Sequence, residues 1–364
     1  HNVFGCDINP DVKGILESRK LPYRELDADV LLTNHSIVWS DVSELVSNSD
    51  IIFVPIQTPH DPKYEGVTRL PDERVDFDYS FLISGIAALS DEIELQGQSK
   101  VVVIISTVLP GTIREYIMPV LSSHVKLCYN PFFIAMGTTI RDFKNPEFVL
   151  FGGEDEGAYE LATQLYSTLH DKPVFRCTLE EAELIKVTYN TFITMKVCFA
   201  NLIMEVSHKL DNINCDNISE AIGMSTDRLI SPRYLKGGMA DGGGCHPRDN
   251  IALSYLARKL DLSYDWYDSL MTCREDQTNW LADLVDDEIS KSNLPVVILG
   301  KTFKKETNLT VGSPSILLRN LLAERDVNCQ MYDPWVDDSL PPLQDPAIFF
   351  IGTNHDAFLD YKFP

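Results

Sequence analysis

Several features that define common protein classes are absent from this sequence. No two cysteines form a CxxC pair, and no apolar run approaches the roughly 18 residues that a membrane-spanning helix needs. The cysteines are instead scattered along the chain, at positions 6, 128, 177, 198, 215, 245, 273 and 329. We therefore predict no metal site, no disulfide framework and no membrane association, and a reducing cytoplasm is the expected location.

Basic residues are also scarce, with 31 Lys and Arg against 54 Asp and Glu and a formal net charge of -23. A surface this acidic repels nucleic acids and anionic membranes, so neither is an expected partner. Any anionic substrate then needs a local basic pocket. The loop GKTFKKETN supplies a candidate, because Lys301, Lys304 and Lys305 follow an apolar strand. This loop fits a phosphate or diphosphate site and a solubilising surface loop equally well.

Apolar runs alternate with helical segments over the first half of the chain. Strands are predicted at Ile51–Gln57, Lys100–Ser106, Val125–Tyr129, Phe148–Gly152 and Val174–Cys177. Strands that alternate with helices indicate a doubly wound parallel sheet, in which ligands bind at the carboxyl ends of the strands. Those ends carry Thr58, Thr107 and Asn130, each close to a proline.

The first predicted strand, within VFGCDINP, ends at Asp7. An acidic residue at such a strand end is how a dinucleotide-binding fold holds the adenosine ribose. That interpretation requires a preceding strand and a G-x-G-x-x-G loop, which this sequence does not contain. Its position alone therefore predicts only a turn residue.

A long helix is predicted from Leu179 to about Leu210, and Lys186 and Asn190 share one of its faces. A helix of this length beyond an α/β domain is typical of a spine or a dimer interface. The α/β pattern restarts at Leu294–Gly300. We predict a Rossmann-like domain of residues 1–178, a central helical domain of residues 179–290, and a second Rossmann-like domain of residues 291–364.

The stretch GGGCHPRDN, Gly242–Asn250, combines three glycines with a cysteine before a predicted helix. Glycines allow close approach of the backbone to a ligand, and a helix N-terminus favours the thiolate of Cys245. The residues alone fit a nucleophile and a helix-capping cysteine equally well.

Taken together, these segments resemble the nucleotide-sugar dehydrogenase family of UDP-glucose and GDP-mannose dehydrogenases. GGGCHPRD is similar to the family's GGSCFPKD, ELIKVTYNTF to its E-L-x-K-x-x-x-N-x-F helix, and STVLPGT to its S-T-V-P-x-G-T segment. VFGCDIN resembles the family's second strand with its ribose-binding acid, and FKKETN resembles a C-terminal segment that binds the nucleotide sugar. The five motifs occur in the family's order and cover nearly the whole chain.

The resemblance implies an enzyme that uses two molecules of NAD to oxidise the C6 alcohol of a nucleotide sugar, UDP-glucose in the first place, to a carboxylate. It implies the catalytic residues Cys245, Lys186, Asp249, Asn190 and Thr107. The implied NAD-binding residues are Asp7, Thr58, Pro59 and Thr107. The implied substrate-binding residues are Phe133, Arg233, Tyr234, Gly243, Phe303 and either Lys304 or Lys305 or both. Cys245 would form a thiohemiacetal and then a thioester, and Lys186 and Asp249 would orient a water. A homodimer through the long helix is also implied.

Three departures from the family pattern qualify this expectation. Phe132 and Met136 stand where the family has acids, the first of which is assigned to thioester hydrolysis, and Val311 replaces a basic residue. The family's first strand and glycine loop are not in this sequence, which we interpret as an incomplete copy that also stops short at its C-terminal end. A divergent member acting on a UDP-N-acetyl sugar or GDP-mannose, and a nucleotide-sugar-binding protein without catalysis, therefore remain alternatives. A cysteine hydrolase is more remote, because His246 is adjacent to Cys245 in sequence.

Overall fold

The computed structural model describes residues 2–21, 25–34, 37–59, 76–135, 138–230, 257–305, 307–308, 310–339 and 346–359. The chain forms two compact units, His1–Thr194 and Met195–Pro364. The boundary between them falls within one long helix. The predicted division into three domains stays a prediction. The described residues do not include Met136, Arg233, Tyr234 or the stretch Gly242–Asn250, which contains Gly243, Cys245, His246 and Asp249.

The first unit contains seven described strands in two sheets. Their bounds are β1 Phe4–Gly5, β2 Val38–Trp39, β3 Ile51–Val54, β4 Lys100–Ile104, β5 Val125–Tyr129, β6 Val149–Gly152 and β7 Val174–Cys177. Strands β1 and β2 pair in parallel, and the larger sheet has the order β3-β4-β5-β6-β7. The predicted strand positions are confirmed: β5 and β7 have the predicted bounds, and β3, β4 and β6 are shorter by one to three residues.

One strand contact differs from the predicted all-parallel sheet. Strands β3, β4 and β5 run parallel, as do β6 and β7, but β5 meets β6 antiparallel through Tyr129 and Gly152. A parallel neighbour needs a crossover connection, usually a full helix, whereas an antiparallel neighbour does not. In the described part of the connection between β5 and β6, the helix is the short α5, Thr139–Lys144.

Helices cover both faces of the larger sheet. The remaining helices of this unit are α1 Pro10–Ser18, α2 Ala28–Asn34, α3 Val42–Asn48, α4 Ser80–Gln96, α6 Glu156–Ser167 and α7 Leu179–Lys209, which continues into the second unit. The sequence did not reveal α2 or α5. The segment after β4 forms a π-helical turn, Ile113–Ile117, followed by a 3-10 turn, Met118–Val120, rather than a regular α-helix. Pro119 lacks the N–H that an α-helix would need at this point.

Strand β4 lies at the centre of the packing. Val102 and Ile104 belong to one hydrophobic core, which includes Leu82 and Ile86 of α4, whereas Val103 belongs to a second core against α6. Successive side chains of a strand point to opposite faces, so a strand that is apolar throughout must be covered on both. Each fully buried side chain of this kind contributes about 1.5–3 kcal/mol.

The second unit contains a smaller α/β layer. Its described elements, besides the end of α7, are α8 Cys215–Gly223, α9 Trp266–Ser292, β8 Val296–Leu299, α10 Pro314–Glu324, β9 Cys329–Tyr332 and β10 Ile348–Ile351. The three strands are parallel in the order β10-β8-β9. Helices α9 and α10 pack on this sheet, with Ala282, Val285 and Leu318 in the core. The restart of the α/β pattern after the central helices is confirmed.

Candidate active site

The beginning of helix α7 binds the segment that follows β4. Glu183 is fully buried, and its two carboxylate oxygens accept the backbone N–H groups of Gly111 at 2.5 Å and Ile113 at 2.8 Å. Gly111 adopts φ of 93°, a conformation that disfavours residues with a Cβ. Burial raises the pKa of Glu183, and the two N–H bonds offset only part of this effect. Glu183 therefore holds the segment that begins at Thr107.

Lys186, one helical turn later, binds the segment that follows β5. Its side chain is buried, and Nζ donates to the backbone carbonyl of Phe132 at 2.7 Å. The ammonium also lies 5.2 Å from the centre of the Phe133 ring. Burial lowers the pKa of Lys186, because the charged form loses hydration. The surroundings of Lys186 are therefore those of a buried residue and differ from those of a solvated lysine.

Two further aromatic rings pack against Phe133, the ring that the Lys186 ammonium faces. Phe133 lies 4.6 Å from the Tyr189 ring and 5.0 Å from the Phe148 ring, measured between centroids. Phe132 points elsewhere, with its ring 5.2 Å from Phe143 and packed against the second core. The side chain at position 132 is thus part of the hydrophobic packing, and its carbonyl is the part that touches the lysine.

Two polar residues near Phe132 are engaged in holding the backbone. Asn130 is buried, donates to the Leu150 carbonyl at 2.9 Å and accepts from the Tyr166 hydroxyl. Asp142 lines a cavity of about 20 Å³ together with Phe132, but its Oδ2 accepts from Thr138 and from the N–H of Ala135. These bonds lower the pKa of Asp142. Both side chains are therefore occupied by hydrogen bonds to neighbouring residues.

The carboxyl ends of β3 and β4 are tied to each other. Thr58 donates through Oγ1 to the carbonyl of Thr107 at 2.7 Å, and Ser106 donates to the carbonyl of Ile56 at 2.5 Å. Thr58, Pro59 and Thr107 are half-buried. Ligands of doubly wound sheets bind at such strand ends, and the predicted NAD-binding residues Thr58, Pro59 and Thr107 do lie together there.

The remaining predicted residues of the first unit are exposed. Asp7 follows β1, and its Oδ1 accepts the N–H of Asn9 at 2.8 Å. A carboxylate at the open end of a parallel strand suits the hydroxyls of an adenosine ribose. Asn190 lies one turn beyond Lys186 on α7, as the i,i+4 spacing predicts.

The lysine loop after β8 belongs to the second unit. Nζ of Lys301 binds Asp337 at 2.6 Å, and Nζ of Lys305 binds Asp356 at 3.2 Å. Lys304 lies over the ring of Phe303, 5.6 Å from its centre. Two of the three lysines are therefore already paired with carboxylates.

Glu183 is the residue that the sequence analysis missed. It belongs to the ELIKVTYNTF motif, and the signal was a carboxylate between apolar residues on the face that carries Lys186. The structure also shows, among the residues it describes, no group of three or more His, Cys, Asp and Glu side chains that could hold a metal ion. Over the same residues, no helix is long and apolar enough to cross a membrane.

Comparison with protein families matches two consecutive parts of the chain. Residues 1–170 match the NAD-binding domain of the UDP-glucose/GDP-mannose dehydrogenase family, and residues 180–275 match the central domain of the same family. Together the two matches cover well over half of the chain.

Individual relatives agree with these matches. The chain is 28% identical over 346 residues to a GDP-mannose 6-dehydrogenase of Pseudomonas aeruginosa, covering 92% of this chain and 76% of the relative. It is 24% identical over 395 residues to a UDP-glucose 6-dehydrogenase of Haloferax volcanii, covering 100% of this chain and 88% of the relative.

Solved structures show the same fold. The crystal structure of a ternary complex of GDP-mannose dehydrogenase from Pseudomonas aeruginosa superimposes with a TM-score of 0.87 and 24% identity, covering 99% of this chain and 88% of that chain. A UDP-glucose dehydrogenase from Pyrobaculum islandicum gives a TM-score of 0.56 at 23% identity, covering 100% of this chain and 87% of that chain. The predicted α/β fold with Rossmann-like domains is confirmed.

Proposed function

The chain belongs to the UDP-glucose/GDP-mannose dehydrogenase family, and on that premise we propose that it oxidises the C6 alcohol of a nucleotide sugar to the carboxylate. It is an NAD-dependent oxidoreductase that acts on CH–OH groups, as its relatives are. The observation that supports the proposal most directly is the double role of helix α7. Glu183 and Lys186 bind the segments after β4 and β5, which carry Thr107 and Phe133.

The lowered pKa of Lys186 gives this residue a chemical role. Burial disfavours its ammonium form, so the neutral amine is accessible at a lower pH than for a solvated lysine. An amine poised in this way accepts a proton from an alcohol or a water and returns it as an ammonium. Asn190, one turn along the same helix, donates a hydrogen bond to the developing oxyanion.

Cys245 and Asp249, which lie outside the described residues, complete the proposal by the family resemblance. The Cys245 thiolate adds to the C6 aldehyde and forms a thiohemiacetal, which loses a hydride to become a thioester. Water then attacks the thioester, the C–S bond breaks, and the sugar acid leaves while the thiol regains its proton. Lys186 and Asp249 orient and deprotonate that water.

NAD, when bound, accepts the hydride in each of the two oxidations. Asp7 is proposed to hold the adenosine ribose, and Thr58, Pro59 and Thr107 to line the site at the joined ends of β3 and β4. The hydrogen bond from Thr58 to the carbonyl of Thr107 supports this assignment, because it holds the ends of β3 and β4 next to each other. The exposed position of Asp7 supports its part.

The substrate side is proposed from the same resemblance. Phe133, Arg233, Tyr234 and Gly243 are assigned to the sugar and its surroundings, and Phe303 with Lys304 or Lys305 to the nucleotide diphosphate. The structure favours Lys304 over Lys305, because Lys305 is paired with Asp356. An exposed pair of this kind is weak, however, so Lys305 can exchange its partner for a phosphate.

The identity of the sugar is best approached through the relatives. UDP-glucose is the substrate that the motif resemblance favours first, and this stays a prediction. The similarity to GDP-mannose 6-dehydrogenases over 92% of the chain supports GDP-mannose as the first substrate to test. A divergent member with slow thioester hydrolysis is the second candidate, because the ring of Phe132 lies in the hydrophobic core where the family has a carboxylate.

The deciding experiment incubates the purified chain with NAD and GDP-mannose, UDP-glucose or a UDP-N-acetyl sugar. We expect one of these substrates to give two NADH per molecule of sugar acid. Absorbance measures the NADH, and mass spectrometry identifies the acid. A stoichiometric burst of NADH without steady turnover supports the divergent member. Binding of a nucleotide sugar in calorimetry with no NADH from any substrate overturns the proposal in favour of a binding protein.

A homodimer through α7 and a cytoplasmic location are further parts of the proposal. Leu184, Phe199 and Met204 are large apolar residues exposed on this helix, with Met204 54% exposed. Exposed apolar surface of this kind supports an interface. Light scattering should give the mass of a dimer, and Met204→Glu should shift it towards the monomer.

A further inference from the structure

The carboxylate of Asp333 lies at the centre of a buried hydrogen-bond network in the second unit. Asp333 follows β9 and is 0% exposed, and its Oδ2 accepts the N–H groups of Lys301 at 2.7 Å and Thr302 at 3.0 Å. Its Oδ1 accepts the N–H of Trp335 at 2.9 Å. Burial alone raises the pKa of this group, but the donated hydrogen bonds outweigh burial and lower the pKa. The first residues of the lysine loop, Lys301 and Thr302, are therefore held by an ionised carboxylate whose two oxygens both accept hydrogen bonds.

His355 joins this network from the end of β10. It is 1% exposed, and its Nε2 lies 3.1 Å from Oδ2 of Asp333 and 3.0 Å from Oγ1 of Thr302. The same Thr302 hydroxyl lies 3.0 Å from the backbone carbonyl of Lys304. Thr353 adds a bond from its hydroxyl to the carbonyl of Thr302 at 2.5 Å. Thr302 is thus bonded to the ends of β9 and β10 and to Lys304 itself.

The number of protons in the network determines which group donates each hydrogen bond. The Thr302 hydroxyl has one proton and can donate to one acceptor at a time. The hydroxyl lies 3.0 Å from Oδ2 of Asp333 as well as 3.0 Å from the Lys304 carbonyl. Oδ2 already accepts the N–H groups of Lys301 and Thr302, and a proton on Nε2 of His355 gives it a third donor. The hydroxyl is then left to donate to the Lys304 carbonyl. Every acceptor is then satisfied, as buried polar groups require. The Thr302 hydroxyl is therefore the group that links the buried Asp333–His355 pair to the backbone carbonyl of Lys304.

We infer that Thr302 is a positioning residue for the nucleotide sugar, and that it fixes the backbone of Lys304 so that the ammonium meets the diphosphate. The inference rests on the proposed role of Lys304 in substrate binding. A lysine is a point charge on a flexible stem, so its effect on a phosphate depends on where its backbone is held. The side chains of Lys301 and Lys305 are paired with Asp337 and Asp356, whereas the Lys304 ammonium lies over the Phe303 ring and its backbone carbonyl is bonded to the Thr302 hydroxyl.

Thr302→Val tests this inference, because valine keeps the shape and removes the hydroxyl. We expect the KM for the nucleotide sugar to rise about tenfold, with kcat and the KM for NAD within about twofold of the wild type. Thr302→Ser restores the hydroxyl and should restore the KM. Thr278→Val is the matched control, because Thr278 is 1% exposed in the same unit and its hydroxyl donates within helix α9, to the Arg274 carbonyl.

A double-mutant cycle with Lys304→Met separates positioning from a loss of stability. If Thr302 acts through Lys304, Thr302→Val raises the KM in the wild-type background and leaves it unchanged in the Lys304→Met background. Equal effects in both backgrounds, or failure of Thr302→Ser to restore the KM, overturn the inference. Thermal unfolding of each variant shows whether it is folded.

The same variants separate this inference from the proposed function. The absence of NADH from the wild-type chain with every nucleotide sugar overturns the proposed function alone. In that case the affinities for GDP and UDP, measured by calorimetry, replace the KM. A tenfold weaker Kd in Thr302→Val but not in Thr302→Ser supports the inference, and equal Kd values in all three proteins overturn it.

Discussion

Glu183 and Lys186 lie one helical turn apart on α7, yet each binds the backbone of a different strand-end segment. Glu183 accepts N–H groups of the segment after β4, and Lys186 donates to a carbonyl of the segment after β5. A buried acceptor and a buried donor on one face of a helix therefore fix the spacing between two strand ends. The catalytic geometry that we propose depends on this pair.

Replacing Glu183 by glutamine should separate the two segments. Glutamine has one acceptor oxygen and places its NH2 group against an N–H, so one buried bond is lost. We expect the free energy of unfolding to fall by about 1–3 kcal/mol and kcat to fall by about tenfold or more as the Thr107 segment shifts. Urea unfolding and steady-state kinetics measure the two effects.

Glu180→Gln is the control for this prediction. Glu180 lies on the same helix and binds Arg114 at the surface. Its loss should cost less than about 1 kcal/mol and leave kcat unchanged. Equal effects of the two substitutions would mean that Glu183 acts merely as another charge on α7.

The activity should rise with pH through the titration of Lys186. Burial lowers its pKa from 10.5, so the neutral amine forms below that value. The pH profile of kcat should therefore contain a rising limb below pH 10.5, and Lys186→Arg, which keeps the charge but does not deprotonate, should remove it. A limb that persists in Lys186→Arg would assign the titration to another group.

The same pKa shift predicts a pH dependence of stability. The unfolded chain binds the Lys186 proton more tightly than the folded chain, so the free energy of unfolding rises as the pH increases through the folded pKa towards 10.5. Lys186→Met should flatten this rise. Urea unfolding at several alkaline pH values measures the slope.

Asp333 should dominate the acid sensitivity of the second unit. Its folded pKa is lowered below 3.8, so its contribution to stability is present above pH 3.8 and is lost as the pH falls through the folded pKa. Asp333→Asn should lower the free energy of unfolding by about 1–3 kcal/mol at neutral pH and weaken its acid dependence.

Asp326→Asn provides the comparison for Asp333→Asn. Asp326 is exposed and has a φ of 61°, a conformation that asparagine also tolerates. This substitution should leave both the stability and its acid dependence near those of the wild type. The assignment to Asp333 fails if the two variants lose stability in parallel as the pH falls.

Cys245→Ser should abolish formation of the sugar acid, because a serine hydroxyl does not form the thioester. The product is identified by mass spectrometry, and NADH is counted in the same sample. Cys273→Ser is the control, since Cys273 is an exposed cysteine of α9 with no assigned role. Acid formation by Cys245→Ser would contradict the thioester route.

The sequence predicted the parts of the fold that depend on short-range patterns. The run KVVVIIS gave β4, because a strand that is apolar throughout must be covered on both faces. The spacing of Lys186 and Asn190 placed them on one face of α7. The resemblance of the motifs gave the family, which the matches over residues 1–170 and 180–275 confirm.

Other features depend on contacts that no local pattern encodes. The antiparallel contact between Tyr129 and Gly152 follows from the path of the whole connection after β5. The role of Glu183 requires the N–H groups of Gly111 and Ile113, which are distant in sequence. The pairing of Lys301 and Lys305 with carboxylates was likewise hidden, because its partners follow β9 and β10.

The anchor of Lys186 is a main-chain carbonyl, which every amino acid provides. A change of side chain at position 132 therefore leaves the hydrogen bond from Nζ intact, provided that the backbone keeps its course. The placement of the lysine and the chemical character of position 132 can vary separately in evolution. A lineage can therefore exchange the side chain at position 132, and with it the packing against Phe143, without first losing the hydrogen bond that holds the lysine.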